Sequence, residues 1–387
     1  MKTFNNLDLK IDLEKNKSFL LKKIKGKNIM VIGGAGSIGS SYIKKILIFK
    51  PAKITIIDNN ENGLTELTRD LRSSNLLDYD PEYTTYPVNL LSDTFDKVFK
   101  ADSWDIVANF SAHKHVRSEK DGISIEALIK NNVFGIIKIL RFCEKNPPKF
   151  FFSVSTDKAA NPVNVMGASK SLMEKLILSK KNKFRVSTAR FANVAFSNGS
   201  LLDGFNFRVS KRQPLSCPSD IKRFFVTHEQ SGLICLLATF LGETGNIFFP
   251  KLDVDEDQIY FKDIALDYLK EKGFEPISMK SEKEAKKFSM DTNSKKYPIY
   301  FFKTDTSGEK EYEEFYTKKE NLNLKQYDSI GSIETDNVEI SFEDVLKDFN
   351  EVFKENSTNK SSVIKVLKKY VPDFIHLERG KNLDQKM

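Results

Sequence analysis

A glycine run between a short apolar strand and an amphipathic stretch constrains this chain more than any other feature in it. Val31-Ile32-Gly33-Gly34-Ala35-Gly36-Ser37-Ile38-Gly39 follows Asn28–Ile32, which reads as a strand, and opens a helix that Lys50-Pro51 must close. Gly34, Gly36 and Gly39 satisfy GxGxxG, and Gly33, Gly36 and Gly39 satisfy GxxGxxG. At such a junction glycines permit the tight turn and let a pyrophosphate approach the N–H groups of the helix N-terminus, where Ser37 and Ile38 begin the first turn. Asp58 ends the next predicted strand, Lys53–Ile57. A carboxylate there accepts from both ribose hydroxyls and repels a 2′-phosphate, so dinucleotide binding is expected, with NAD favoured over NADP.

The surroundings agree with that reading. Short β-branched runs alternate with amphipathic helical stretches from Lys27 to about Arg190, the pattern of βαβ units on a parallel sheet. Further strands are predicted at Tyr83–Val88, Trp104–Phe110, Lys149–Val154 and Phe184–Ala189, and helices at Glu61–Arg72, Ile123–Lys145 and Val165–Lys181. The expected fold class is α/β: a Rossmann-type doubly wound parallel sheet with a smaller C-terminal substrate-binding region. The expected division is an N-terminal extension (1–26), a dinucleotide-binding domain (27–195) and a substrate-binding and accessory region (196–387), partly interleaved with it. Beyond Ala195 the alternation fails, and Gly199, Gly204, Pro214 and Pro218 punctuate a loop-rich stretch. Lys280–Lys296 is charged and uninformative, and the acidic-aromatic segment Glu309–Tyr316 suggests no chemistry. A last helix is expected at Ser361–Tyr370, and the final ten residues are polar enough to be loosely ordered.

Composition excludes more than it identifies. With 40% apolar and 29% charged residues the chain is an ordinary globular one. The net charge of +8 comes from lysines spread over the whole length, which points to a solvated surface rather than a nucleic-acid interface. Cys143, Cys217 and Cys235 stand far apart, with no metal spacing, so neither disulfides nor a metal site is expected and a reducing, cytoplasmic location fits. Residues 1–26 lack the apolar core of a signal peptide, and no stretch is long enough to span a bilayer.

Chemistry gathers at the predicted carboxyl edge of the sheet, where doubly wound folds bind ligands. Ser111-Ala112-His113-Lys114-His115-Val116 follows the fourth strand, and Ser155-Thr156-Asp157-Lys158 the fifth. Met166-Gly167-Ala168-Ser169-Lys170 starts the next helix, and Asn132 lies mid-helix, where Asn is a poor former without a tertiary reason.

With those residues in view, the chain resembles the extended short-chain dehydrogenases/reductases of polysaccharide biosynthesis, specifically the UDP-N-acetylglucosamine 4,6-dehydratases. The resemblance runs from Asn28 to about Pro250. It is carried by Gly33–Gly39, His113–Val116, Ser155–Ala159, Asn164–Lys170, Arg190-Phe191-Ala192-Asn193-Val194 and Arg223-Phe224-Phe225. It implies a UDP-sugar substrate and a homo-oligomer. By resemblance, Lys158 is the base at sugar C5, Asp157 the acid at O6, Thr156 a hydrogen-bonding partner of O4, and Lys170 the holder of the nicotinamide ribose. Asn89 stands where relatives read adenine, Ser111 and Asn132 line the cofactor site, Lys114 and His115 the sugar pocket, and Asn193 and Arg223 contact the diphosphate.

One departure matters. The superfamily's Tyr-x-x-x-Lys is here Met166-x-x-x-Lys170, and a thioether has no exchangeable hydrogen. The O4 proton must then leave through Thr156, Asp157 or water. Retention of Asp157 and Lys158 favours the branch that works with Met over a catalytically dead cofactor sensor or scaffold. A 4-epimerase or 4-keto reductase is the competing activity, but epimerases rely on the missing Tyr. As a C5 base Lys158 is expected to have a lowered pKa, and Asp157 as an acid a raised one.

Overall fold

The computed structural model describes residues 5–288, 294–305, 308, 310, 312–354 and 358–378. The first six strands pair in parallel in the central sheet: β1 (Asn28–Ile32), β2 (Lys53–Asp58), β3 (Glu82–Pro87), β4 (Ile106–Asn109), β5 (Phe150–Val154) and β6 (Val186–Ala189). Their order, β3-β2-β1-β4-β5-β6, is that of a doubly wound dinucleotide fold, with the reversal between β1 and β4. All residues of β4, β5 and β6 are buried, which explains why they lack an alternation of apolar and charged residues: helices cover both faces.

The later strands are β7 (Asn193–Val194), β8 (Leu215–Pro218), β9 (Lys222–Val226), β10 (Ile247–Pro250), β11 (Gln258–Tyr260), β12 (Glu275–Met279), β13 (Lys296–Phe302), β14 (Asn321–Asn323) and β15 (Ile330–Glu334). β10 joins β6 in parallel, and β15 and β14 extend that edge antiparallel, giving nine strands. Two three-stranded sheets, β11-β9-β7 and β12-β13-β8, stand beyond the carboxyl edge around a separate apolar cluster of Phe205, Leu215, Phe225, Tyr268 and Tyr297.

Several elements differ from the sequence expectation. Residues ahead of β1 form a helix, Lys10–Ile24, that buries Leu20 and Ile24; Leu9 before it makes no side-chain cap, so nothing local announces its start. The expected continuous helix Ile123–Lys145 runs as Gly122–Ile129 and Gly135–Lys145 around a π turn at Lys130–Phe134. A helix at Phe342–Phe353 precedes Lys360–Tyr370, and through Val345, Phe349, Val363 and Leu367 both join an apolar cluster that includes Ile136, Leu140 and Leu176. Residues 379–387, which carry most of the expected loose terminus, and 289–293 of the charged stretch lie outside the described residues. No helix among the described residues is long and apolar enough to cross a membrane.

Candidate active site

The glycine run forms the turn its sequence demands. Gly33 has φ +76°, and a Cβ there would lie 2.5 Å from Ser111 N, so the ends of β1 and β4 touch at this point. A Cβ on Gly39 would lie 2.4 Å from Gly33 O, which closes the loop on itself. On Gly36, the helix N-cap, a Cβ would meet only Gly33 O, at 3.4 Å. The space beside Gly36 is thus open at a helix N-terminus, a cradle of the kind a pyrophosphate fits. Asp58 Oδ2 accepts from Ala35 N at 3.0 Å and Oδ1 from Asn60 N at 3.0 Å, so the carboxylate faces the loop. Ser37 Oγ accepts from Asn198 N, and Lys114 Nζ donates to Asn198 O at 2.8 Å, tying the post-β7 loop to both. His115 packs against Gly199. Asn89 is exposed, and its Oδ1 accepts from Leu91 N in its own turn.

Asn132 sits in the π turn and is 2% exposed. Its Oδ1 accepts from His113 N at 2.8 Å, and its Nδ2 donates to His113 O and to Ser169 Oγ, both at 3.0 Å. The helical irregularity turns one amide to fix the post-β4 loop against the helix Val165–Leu178.

That helix is capped by Asn164, whose Oδ1 accepts from Gly167 N at 2.7 Å. Glu119 also accepts from Val165 N. A Cβ on Gly167 would lie 2.4 Å from Lys158 O, so glycine lets the Ser155–Ala159 loop press on the first turn of the helix that carries Met166. Met166 is 3% exposed. One turn on, buried Lys170 donates to Val154 O at 2.8 Å, and burial pulls its amine down to about 8 despite the opposing charge of Glu174.

Asp157 Oδ1 accepts from Thr156 Oγ1 at 2.8 Å, from Lys158 N at 2.9 Å and from Lys158 Nζ at 3.0 Å. Its Oδ2 is buried without a partner among the described residues. Arg223, on β9, is 3% exposed, and Asn193, on β7, donates to Phe224 O at 3.4 Å. A residue the sequence did not single out completes the cluster. Glu313 is 2% exposed, with Oε1 3.6 Å from Lys158 Nζ and 3.7 Å from Arg223 Nη2. The only local signal for it is a carboxylate in an aromatic stretch, Tyr312 to Tyr316.

The electrostatics correct one expectation. Burial works to lower the Lys158 pKa, but Asp157 and Glu313 together outweigh burial and Arg223, and the ammonium is held above its ordinary value rather than below it. Glu313 moves the other way from an ordinary carboxylate: burial, helped by Asp157, raises it against the pull of Lys158, Arg223 and Lys310. Among the described residues no group of His, Cys, Asp and Glu is arranged to hold a metal ion.

The profile of the polysaccharide biosynthesis protein family matches residues 29–335, well over half the chain. The chain belongs to this family of extended short-chain dehydrogenases/reductases. Among family relatives, an uncharacterized membrane protein of Methanocaldococcus jannaschii is 30% identical over 319 residues, 79% of this chain and 85% of that one. A UDP-N-acetylglucosamine 4,6-dehydratase (inverting) of Campylobacter jejuni is 32% identical over 241 residues, 59% of this chain and 67% of that one. A UDP-glucose 4-epimerase of Rickettsia bellii also aligns, 29% identical over 58% of this chain and 66% of its own length. The solved structure of Pen from Bacillus thuringiensis superposes with a TM-score of 0.66 at 21% identity, covering 90% of this chain and 98% of that one, and so shares the fold.

Proposed function

We propose that the chain is an NAD-dependent sugar-nucleotide 4,6-dehydratase acting on a UDP-hexose, with UDP-N-acetylglucosamine the first substrate to test. The observation that carries this reading is the hydrogen-bonded run Thr156–Asp157–Lys158 at the end of β5, pressed on the first turn of a helix that carries Met166 at the position where an epimerase would need a proton-carrying Tyr. The glycine cradle, Asp58 and Lys170 fit NAD, whose chemistry when bound is to take a hydride from sugar C4 and return it at C6.

The chain's own residues then move protons. Thr156 already donates to Asp157 Oδ1, which gives the sugar O4 proton a route onto the carboxylate that Met166 does not offer. Asp157 passes a proton to the departing C6 hydroxyl, so the proton lost at O4 leaves in water. The Lys158 amine takes the C5 proton, exchanges it with solvent and returns a proton to C5, and no net oxidation results. Arg223, with its planar fork of donors, and Asn193 serve the diphosphate; Lys114 and His115 serve the sugar pocket; Asn89 serves the adenine.

Incubation with UDP-N-acetylglucosamine is expected to give a product lighter by one water without added reductant, carrying solvent deuterium at C5 in deuterated water. A product of unchanged mass inverted at C4 would make the chain an epimerase, and bound NAD with no turnover of any UDP-sugar would make it a sensor. Met166→Ala should keep at least about a tenth of the wild-type turnover, whereas Lys158→Ala and Asp157→Asn should each lose at least ~100-fold. Near wild-type turnover in both latter variants would remove the dehydratase assignment.

A further inference from the structure

Between β13 and β14, Gly308 and residues 313–315 lie near the carboxyl end of β5, and hydrogen bonds from the rest of the fold hold them there. Asn164 Nδ2 donates to Gly308 O at 2.8 Å, Asn161 Nδ2 to Glu314 Oε2 at 2.8 Å, Gln258 Nε2 to Glu313 O at 3.2 Å and Arg190 Nη1 to Phe315 O at 3.2 Å. Phe315 packs on Phe224 with ring centroids 4.7 Å apart. Glu313 is therefore delivered to the site by a well-anchored backbone.

Its carboxyl is nonetheless poorly used as a structural group. The fold shows elsewhere what a closed buried pair looks like: Arg190 Nη2 reaches Glu174 Oε2 at 2.7 Å and Nε reaches Oε1 at 2.9 Å. Glu313 Oε1 instead stands 3.6 Å and 3.7 Å from its two cations, and Oε2 is buried with no partner among the described residues. A buried carboxyl left this loose is costly unless it has another task. Asp157 and Glu313 also flank a single ammonium, which must lose its proton before it can act as a base.

We propose that Glu313 shares the proton of Lys158, freeing the amine by internal transfer rather than by loss to solvent. This rests on Lys158 being the C5 base. Lys158–NH3+ and Glu313–COO− become Lys158–NH2 and Glu313–COOH, with no other proton or electron moved. Glu313 acts through Lys158 and is a positioning residue for it. The charged groups facing the pair are Asp157 from the end of β5, Arg223 from β9 and Lys310 from the segment between β13 and β14; burial and Asp157 favour the neutral acid, the three cations the carboxylate.

The test uses the full-length chain with Glu313→Gln and Glu313→Asp. With an internal acceptor, kcat/KM of the wild type on UDP-N-acetylglucosamine is flat from roughly pH 6.5 to 8.5. Asp157 must take the O4 proton and is not available for that of Lys158, so Glu313→Gln falls at least ~30-fold at about pH 7 and recovers about tenfold per pH unit as the ammonium deprotonates to solvent. Glu313→Asp keeps a carboxyl and should retain the flat profile. In parallel, 13C-lysine-labelled protein reports Lys158 titration by NMR, and loss of the Glu313 charge should lower its pKa. A Glu313→Gln profile parallel to wild type, or a Lys158 titration unmoved by the substitution, overturns the proposal. If wild type dehydrates no UDP-sugar, the functional reading fails and the NMR titration alone decides the coupling. Should Glu313→Gln not fold, Glu313→Met, of similar volume with no amide to satisfy, replaces it with the same readouts.

Discussion

Lys170 keeps 3% of its surface exposed and has a backbone carbonyl, Val154 O, as its oxygen acceptor, so its charged form is costly in the folded chain. Burial takes its pKa from 10.5 to about 8, a shift worth on the order of 3 kcal/mol. The folded pKa lies below the unfolded one, so between about 8 and 10.5 the unfolded chain binds more protons and stability rises with pH. The cost is present in full below the folded pKa and fades above it. Lys170→Met, without cofactor, should therefore melt a few degrees above wild type at about pH 7, and the gap should close toward about pH 10. The same variant should bind NAD at least ~10-fold more weakly. A lower melting temperature at neutral pH would show that Lys170 is structural. Lys170 was legible in the sequence because it stands one helical turn after Met166. The raised Lys158 was not, since burial and Arg223 are outweighed only when Glu313, more than a hundred residues away along the chain, adds to the pull of Asp157.

At the scale of elements, the glycine loop separates two kinds of constraint that the sequence motif merges. A Cβ on Gly39 collides with the loop's own backbone, Gly33 O at 2.4 Å and Gly34 Cα at 2.9 Å, whereas one on Gly36 meets a single atom at 3.4 Å. Gly39→Ala should thus lower the melting temperature even without cofactor. Gly36→Ala should melt like wild type yet weaken NAD binding at least ~10-fold, as seen by calorimetric titration, because its methyl fills the cradle. Equal cofactor affinity in Gly36→Ala would mean that no pyrophosphate approaches that position. Strands and helices around this loop were legible to within a residue or two, because apolar runs, the caps and Pro51 all agreed. The helix Lys10–Ile24 was not, having no side-chain cap. The helix Phe342–Phe353 carried a readable signal in Ser341, whose side chain accepts from Asp344 N, ahead of Phe342, Val345 and Phe349. Asn132 was legible as an anomaly, and the π turn gives its reason: the amide serves His113 and Ser169, not the helix.

Across the whole molecule, the carboxyl edge of the sheet depends on an ion-pair hub at Arg190, just after β6. Its guanidinium meets Glu174 from the helix that carries Met166 and Lys170, Phe315 O from the segment that carries Glu313, and Glu320 Oε1 at 2.8 Å just before β14. The end of β6, the helix Val165–Leu178 and residues 315–320 are thereby held together. A sequence pattern cannot show such a hub, because its members share no spacing and Glu320 stands 130 residues after Arg190. Removing one charge from a buried pair leaves the other uncompensated, which costs about 3–5 kcal/mol, whereas partly exposed pairs contribute much less. The Glu174 side chain is 2% exposed and that of Glu320 22%. Glu174→Gln should therefore lower the urea midpoint strongly, and Glu320→Gln by no more than about a third as much. Because Arg190 also holds Phe315 O, Glu174→Gln should loosen the seating of Glu313 and reduce turnover more than lost folded protein explains, measured at a temperature where the variant remains folded. Equal destabilisation by the two substitutions would show that Arg190 is solvated in solution. Full turnover per folded molecule in Glu174→Gln would show that the segment between β13 and β14 is held without the hub.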